Sequence, residues 1–154
     1  MLTNFNTLAD SSRLWVYGAE TALTETEQLC ISERLTEFLE KWEYHQNKLL
    51  ASFHIFENRF VVVALDDSQY GVGGCSMDSL QKVIQELEKE LSISLLNRLN
   101  VFCKIDGYIE CIAITNLSNQ AHSTTLFYDL TILKKREIPN WLKPISGGWC
   151  SSFL

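Results

Sequence analysis

The chain has 154 residues, of which 46% are hydrophobic and 21% charged, the size and composition of one globular domain. We therefore expect a single domain over residues 1–154, with any disorder confined to residues 1–10. The formal net charge of −6 argues against a nucleic-acid partner, because binding to the phosphate backbone needs a dense basic surface. The basic cluster Lys134, Lys135 and Arg136 is followed at once by Glu137, so we interpret it as solvated surface rather than a phosphate or lipid contact.

The expected location is the cytoplasm. No apolar run reaches the roughly 18 residues that cross a bilayer, and residues 1–10 lack the basic and apolar regions of a signal peptide. The five cysteines contain no CxxC pair, which indicates reduced thiols rather than a disulfide framework or a zinc site. We expect no membrane partner and no cofactor.

The first half of the chain predicts a strand, a helix and a hairpin. Residues 14–17 are typical of a strand, and Thr24 with Glu27 forms a capping box that starts a helix. Residues 49–56 and 59–65 are rich in β-branched and aromatic residues and are joined by two residues, which predicts a hairpin. The second of these strands should be central in a sheet, since it is apolar without alternation.

The second half predicts a helix and another hairpin. Gly71, Gly73 and Gly74 indicate a flexible loop, and the amphipathic helix that follows has Ser76 as its expected N-cap. Asp106-Gly107 is typical of a two-residue turn between residues 100–105 and 108–114. Residues 124–133 are compatible with either a strand or a helix.

The order of these elements predicts an α+β fold. Strand, helix, strand, strand, helix, strand, strand contains the ferredoxin-like βαββαβ arrangement, an antiparallel sheet with two helices on one face. An extra hairpin strand and a C-terminal segment would be added to it.

The best candidate for a functional site lies where the second helix begins. A helix N-terminus presents free backbone N–H groups that attract an anion or stabilise a thiolate. Cys75 is therefore a candidate reactive thiol, and the Gly74 backbone with Ser76 is a candidate anion cradle. Asp66 and Asp78 would serve as acid, base or metal ligand, although their negative charge disfavours both a thiolate and a bound anion.

A purely structural interpretation of the same residues is favoured. The glycines then only turn the chain, the polar residues cap the helix, and Cys75 is a small apolar group. No calcium-loop pattern supports a metal at the aspartates, and the three histidines show no spacing typical of a cysteine hydrolase.

Two further features lie near the chain ends. Arg13 precedes the first strand and would bind an acidic group or, as we favour, form a salt bridge with a glutamate. The run from Gly147 to Leu154 finishes in apolar residues, which predicts that it docks on this domain or on a partner copy.

Four segments of the chain resemble a family of small uncharacterised bacterial proteins, and the resemblance spans most of the length. They are Ser12-Arg13-Leu14-Trp15-Val16-Tyr17, Asn58-Arg59-Phe60, Gly74-Cys75-Ser76-Met77-Asp78 and the closing run from Trp149 to Leu154. Members often carry an "ABC transporter ATPase" label, but this sequence has no GxxxxGK[ST] run and no Gly-Lys pair, so a Walker-type cradle would lack its lysine. The resemblance implies no catalytic residues.

The leading hypothesis is a non-catalytic cytoplasmic binding domain. It would use a sheet edge or the C-terminal segment to form a homo-oligomer or to engage another protein. The alternative is a small thiol-dependent or anion-binding enzyme with its site at Gly74 to Asp78.

Overall fold

The computed structural model describes residues 1–69 and 73–154, and the chain divides into two compact units. Unit 1 comprises Met1–Leu96 and Leu133–Arg136, and unit 2 comprises Asn97–Ile132 and Glu137–Leu154. Gly71, part of the predicted flexible loop, lies outside the described residues. Folding of the two units as one cooperative domain stays a prediction.

Unit 1 contains the first predicted strand, both long helices and the first hairpin. Its elements in chain order are β1 (Arg13–Gly18), α1 (Glu25–Lys41), β2 (Glu43–Tyr44), β3 (Asn47–Lys48), β4 (Leu50–Phe56), β5 (Phe60–Asp66) and α2 (Gly74–Leu91).

The start of α1 and the first hairpin turn form as predicted. The Thr24 hydroxyl accepts from the backbone N–H of Glu27, and the Glu27 carboxylate accepts from the backbone N–H of Thr24, so both bonds of the capping box are present. Glu57 and Asn58 have φ values of 57° and 53°, the left-handed conformation of a tight hairpin turn between β4 and β5.

The sheet of unit 1 has three antiparallel strands in the order β1–β5–β4. The central strand β5 is buried from Phe60 to Leu65, as its unbroken apolar run predicts. Both helices pack on one face of this sheet. Their inward residues share a single core with the sheet residues Tyr17, Ala51, Val61, Val63 and Leu65; these helix residues are Ile31, Leu35, Leu39, Leu80, Ile84 and Leu87.

The first ten residues also contact the sheet of unit 1. Leu2 forms a parallel bridge with Ala51 of β4, and Phe5 is buried with its ring 5.8 Å from those of His54 and Phe56. These contacts place Leu2 and Phe5 against β4.

Unit 2 is built on a second antiparallel sheet in the order β7–β6–β8–β9. Its elements are β6 (Asn100–Ile105), β7 (Tyr108–Ala113), α3 (Leu117–Gln120), β8 (Leu126–Tyr128) and β9 (Leu142–Pro144). The predicted turn between β6 and β7 is confirmed by positive φ at Asp106 (52°) and Gly107 (82°). Residues 124–133 were compatible with a strand or a helix, and part of this run forms strand β8, which pairs with β6 and β9.

The α+β class is confirmed, but the ferredoxin-like topology is not. That topology would place β6 beside β1, whereas β6 pairs with β7 and β8 in the sheet of unit 2. The edge of β1 is met instead by the returning segment Leu133–Arg136. Arg13 and Lys134 form an antiparallel bridge, and the Leu14 N–H donates to the Leu133 carbonyl at 2.9 Å. Sequence order misled here because a segment far along the chain supplies the backbone partners of β1.

No helix within the described residues is long and apolar enough to span a membrane.

Candidate functional site

The helix α2 begins three residues earlier than the sequence predicts. Gly73 is its N-cap, and the Gly73 carbonyl accepts from the N–H groups of both Ser76 and Met77 at 3.1 Å. A Cβ on Gly73 would lie 2.7 Å from the Tyr44 ring, so this position favours glycine through close packing. The prediction of Ser76 as N-cap is wrong. Its hydroxyl is in the first turn and donates to the Glu43 carbonyl at 3.0 Å.

Two hydrogen bonds connect the head of α2 to Trp42, the C-cap of α1, and to Glu43 of β2. Besides the Ser76 hydroxyl bond, the Trp42 indole N–H donates to the Ser76 carbonyl at 3.0 Å, and both side chains are buried. Ser76 therefore serves as a structural anchor, and its hydroxyl is already committed to a protein acceptor.

The predicted nucleophile Cys75 is exposed on the first turn of α2. Its thiol has no hydrogen-bond partner among residues 1–69 and 73–154, while its carbonyl accepts from the Ser79 hydroxyl at 2.9 Å. Asp78 is also exposed, and a Cβ at Gly74 would meet open space. The structure confirms the predicted position of Cys75 at a helix head, but it brings no acid or base against the sulfur within the described chain.

Asp66, the predicted acid or base for Cys75, lines a cavity that does not include Cys75. Its carboxylate accepts from the Ser68 hydroxyl at 2.6 Å and from the Ser68 N–H at 3.0 Å. Both bonds lower the pKa of Asp66, and the bond from the Ser68 hydroxyl has the larger effect. Burial raises the pKa by a smaller amount, so the pKa lies below its ordinary value. The cavity beside Asp66 has a volume of about 350 Å³, and its lining includes Asn47, Lys48 and Ser68 but not Cys75. The structure therefore does not assemble Asp66 and Cys75 into one site.

Within the described residues, no three or more His, Cys, Asp and Glu side chains form a group that could hold a metal ion.

A groove between α1 and α2 lies next to the head of α2. It has a volume of about 390 Å³ and includes Ser79, whose hydroxyl bonds the Cys75 carbonyl. The sequence pattern does not reveal this groove, because aromatic residues at helical spacing are typical of core positions. The other lining residues are three with apolar side chains and four with charged ones: Phe38, Trp42, Val83, Arg34, Glu37, Lys41 and Glu43.

Arg13 does not form the salt bridge that we expected with a glutamate. Its guanidinium lies over the Trp15 ring, 5.1 Å from the centroid, and its Nε is buried without a hydrogen-bond partner. The described residues include no ion pair of Arg13.

The C-terminal segment, residues 147–154, is anchored but keeps apolar side chains exposed. Cys150 is fully buried in the core of unit 2, and a Cβ on Gly148 would overlap the ring of the buried Phe127. Between and beyond these anchors, Trp149 is 40% exposed, Phe153 50% and Leu154 39%. The predicted docking on this domain therefore holds for Cys150 but not for the three larger side chains.

The two buried thiols of unit 2 are unsuited to nucleophilic chemistry. Burial, with smaller effects from the neighbouring Cys150 and Cys111, raises the pKa of Cys103 to about 11. Burial likewise raises the pKa of Cys150, assisted by the negative charge of Asp129.

A buried carboxylate joins the segments around β8 and β9. Asp129 accepts from the Lys143 ammonium at 2.7 Å and from the Thr131 N–H at 2.9 Å and hydroxyl at 2.5 Å. Burial raises the pKa of Asp129, but Lys143 and Thr131 together lower it by more, so the pKa lies below its ordinary value.

Comparison of the chain with protein-family models, with curated proteins and with solved structures gives no significant match.

Proposed function

We propose that the chain is a non-catalytic binding domain that associates with a second copy of itself through its C-terminal segment. The observation that carries the proposal is the exposure of Trp149, Phe153 and Leu154 on a backbone anchored by Cys150 and Gly148. Exposed apolar side chains grouped within six residues are typical of interaction surfaces.

An anchored segment is a favourable binding element. Its backbone is already fixed by Cys150 in the core and by Gly148 against Phe127, so association orders few additional groups. Aromatic side chains such as Trp149 and Phe153 are the type most enriched among the energetically dominant residues of interfaces.

A second copy is the simplest partner for such a surface. A two-fold contact uses the same patch on both chains, and apolar side chains are self-complementary, whereas the net charge of −6 opposes close approach of charged surfaces. We therefore expect an association that strengthens with salt, because added salt screens the charge repulsion.

Sedimentation velocity over a range of protein concentrations tests the proposal. We expect a concentration-dependent dimer for the wild type and a monomer for the double variant Trp149→Ser, Phe153→Ser. Leu29→Ser is the matched control, because Leu29 is 61% exposed but lies on α1 in unit 1. A wild-type chain that stays monomeric, or a dimer that the double variant retains, would contradict the proposal.

A second candidate function rests on the exposed Cys75 at the head of the 18-residue helix α2. A small thiol-dependent or anion-binding enzyme would use this thiol with the neighbouring backbone N–H groups. Such an enzyme predicts that Cys75 reacts with iodoacetamide at neutral pH much faster than a small free thiol does. A binding domain predicts a rate no higher than that of the free thiol, and a Cys75→Ala chain that sediments like the wild type.

A further inference from the structure

The cavity beside Asp66 is lined by residues of β3, β4 and β5 and of the segment that follows β5. It has a volume of about 350 Å³ and contains two charged side chains of opposite sign, Lys48 and Asp66. A cavity of this size with a few convergent polar groups is typical of a small-molecule site. The other lining residues are Asn47, Ser68, Gln69, Met1 and Leu50.

The register of the sheet sets the two charged residues on one face. Leu50 lies directly opposite Asp66, so their side chains point to the same side of the sheet. Lys48 precedes Leu50 by two residues and shares that side, whereas Leu49 between them is buried in the core with the helices. Lys48 and Asp66 are therefore diagonal neighbours, a relation in which Cβ atoms are roughly 7–8 Å apart.

The two opposite charges do not pair with each other. In the described part of the chain, no ion pair involves either Lys48 or Asp66. The groove between α1 and α2 is different, because its Arg34 guanidinium is already bound by Glu86 and Glu90. The cavity beside Asp66 thus has charges that remain available to a ligand.

The Asp66 carboxylate is held in position by Ser68. Its Oδ1 accepts from the Ser68 hydroxyl and N–H, and these bonds lower the pKa, so the group is ionised at neutral pH. Its Oδ2 accepts no hydrogen bond from the described residues. This oxygen is therefore free to accept from the N–H groups of a bound cation.

The other charged groups near the cavity leave the Lys48 ammonium available. The Met1 ammonium donates to the carbonyls of Leu39 at 2.9 Å and Leu49 at 2.6 Å. Burial lowers the pKa of this ammonium, and the charge of Glu40 raises it by less. Glu40 forms no ion pair with Lys48 within the described residues.

We propose that this cavity binds a small zwitterion, a molecule that carries both an ammonium and a carboxylate group, as a free amino acid does. The ligand ammonium donates to Oδ2 of Asp66, and the ligand carboxylate accepts from the Lys48 ammonium. A zwitterion satisfies both charges at once, whereas a simple anion or cation satisfies one charge and is repelled by the other. The residues involved belong to unit 1, so this proposal is independent of the C-terminal contact in unit 2.

Binding is measured in ¹H–¹⁵N spectra of the full chain, at the backbone amides of Lys48 and Ser68. The probes are glycine, L-serine and L-glutamine, and sodium chloride at the same ionic strength is the reference. We expect a saturable shift with at least one of the three amino acids. Sodium acetate and methylammonium chloride should bind at least about tenfold more weakly, because each lacks one charge-assisted bond. No saturable shift with any amino acid, or equally tight binding of acetate or methylammonium, would overturn the proposal.

Four variants separate this site from general charge effects. Asp66→Asn and Lys48→Met should each weaken binding of the amino acid at least about tenfold. Asp67→Asn and Lys82→Met remove the same charges from residues outside the cavity lining and should bind like the wild type. Binding retained by either of the first two variants, or weakened equally by the controls, would contradict the site. Should Asp66→Asn fail to fold, Lys48→Met at an exposed position and the wild-type titrations still decide the outcome.

Discussion

The segments at residues 73–76 and 147–151 are alike in sequence but opposite in structure. Each begins with two glycines and contains a cysteine followed by a serine, and the second has Trp149 inserted before its cysteine. Cys75 is exposed at the head of α2, whereas Cys150 is fully buried and Trp149 faces solvent. In both segments one glycine lies against an aromatic ring, Tyr44 in the first and Phe127 in the second. Similar local patterns thus present a thiol to solvent in one unit and an aromatic side chain in the other.

Thiol labelling should give the largest difference between the two segments. We expect iodoacetamide at pH 7 to modify Cys75 at least about a hundredfold faster than Cys103 or Cys150, because the latter are buried and the thiolate is the reacting form. Mass spectrometry of each cysteine peptide over time measures the rates. Similar rates for the three cysteines in the folded protein would refute the contrast.

Substitution of Gly148, the packed glycine of the second segment, should be more destabilising than substitution of its neighbour Gly147. Gly148→Ala adds a Cβ that overlaps the buried Phe127 ring, and we expect the free energy of unfolding to fall by about 2–3 kcal/mol. Gly147→Ala is the matched control, because a Cβ there meets open space. Urea unfolding of both variants checks the prediction, and an equal effect of the two substitutions would be inconsistent with it.

The ion pair between Asp129 and Lys143 should stabilise unit 2, which contains the second segment. Because Asp129 is buried and Lys143 is partly exposed, we expect Lys143→Met to lower the free energy of unfolding by about 1–2 kcal/mol at pH 7. Lys104→Met, at an exposed position of β6, should have little effect.

The same pair predicts a dependence of stability on pH. The pKa of Asp129 is lower in the folded than in the unfolded state, so its contribution is present above the unfolded pKa of about 3.9 and is lost as pH falls through the folded value. Urea unfolding at pH 7 and at pH 3 should show a smaller loss of stability in Lys143→Met than in the wild type. An equal loss of stability in Lys143→Met and in the wild type would contradict the proposed stabilisation of the Asp129 carboxylate by Lys143.

Substitution of Gly73, the packed glycine of the first segment, should lower stability less than substitution of Gly148. Gly73→Ala adds a Cβ against the ring of Tyr44, which is only half-buried and can move, so we expect a loss of about 1 kcal/mol. Gly74→Ala meets open space and should change stability by less than about 0.5 kcal/mol. Thermal unfolding of the two variants measures both, and a Gly73→Ala effect as large as that of Gly148→Ala would remove the distinction between the segments.

Local signals in the sequence predicted local structure well. The capping box at Thr24 and Glu27 and the turn at Asp106 and Gly107 depend on residues within a few positions of each other, and each is found in the structure. The N-cap of α2 was missed because the Ser76 hydroxyl bonds the Glu43 carbonyl, 33 residues away. A sequence pattern does not contain that competing acceptor.

Long-range pairing could not be predicted in the same way. Lys134 lies beside Arg13 although more than a hundred residues separate them, and this pairing displaced the expected ferredoxin-like order. The candidate site also differs from the prediction. Cys75 was placed correctly at the helix head, but the sequence did not show that Asp66 turns to Ser68 or that Arg13 lacks a carboxylate. Local composition also did not separate buried Cys150 from exposed Trp149.

The most direct test of the proposed C-terminal contact is photo-crosslinking from Phe153. A benzoylphenylalanine at position 153 should give a covalent dimer on irradiation, with the crosslink in residues 147–154 of the second copy. The same group at position 29 on α1, where Leu29 is also exposed, should give none. Absence of a covalent dimer from position 153, or equal yields from positions 153 and 29, would contradict the claim that the exposed apolar end of unit 2 is the binding surface.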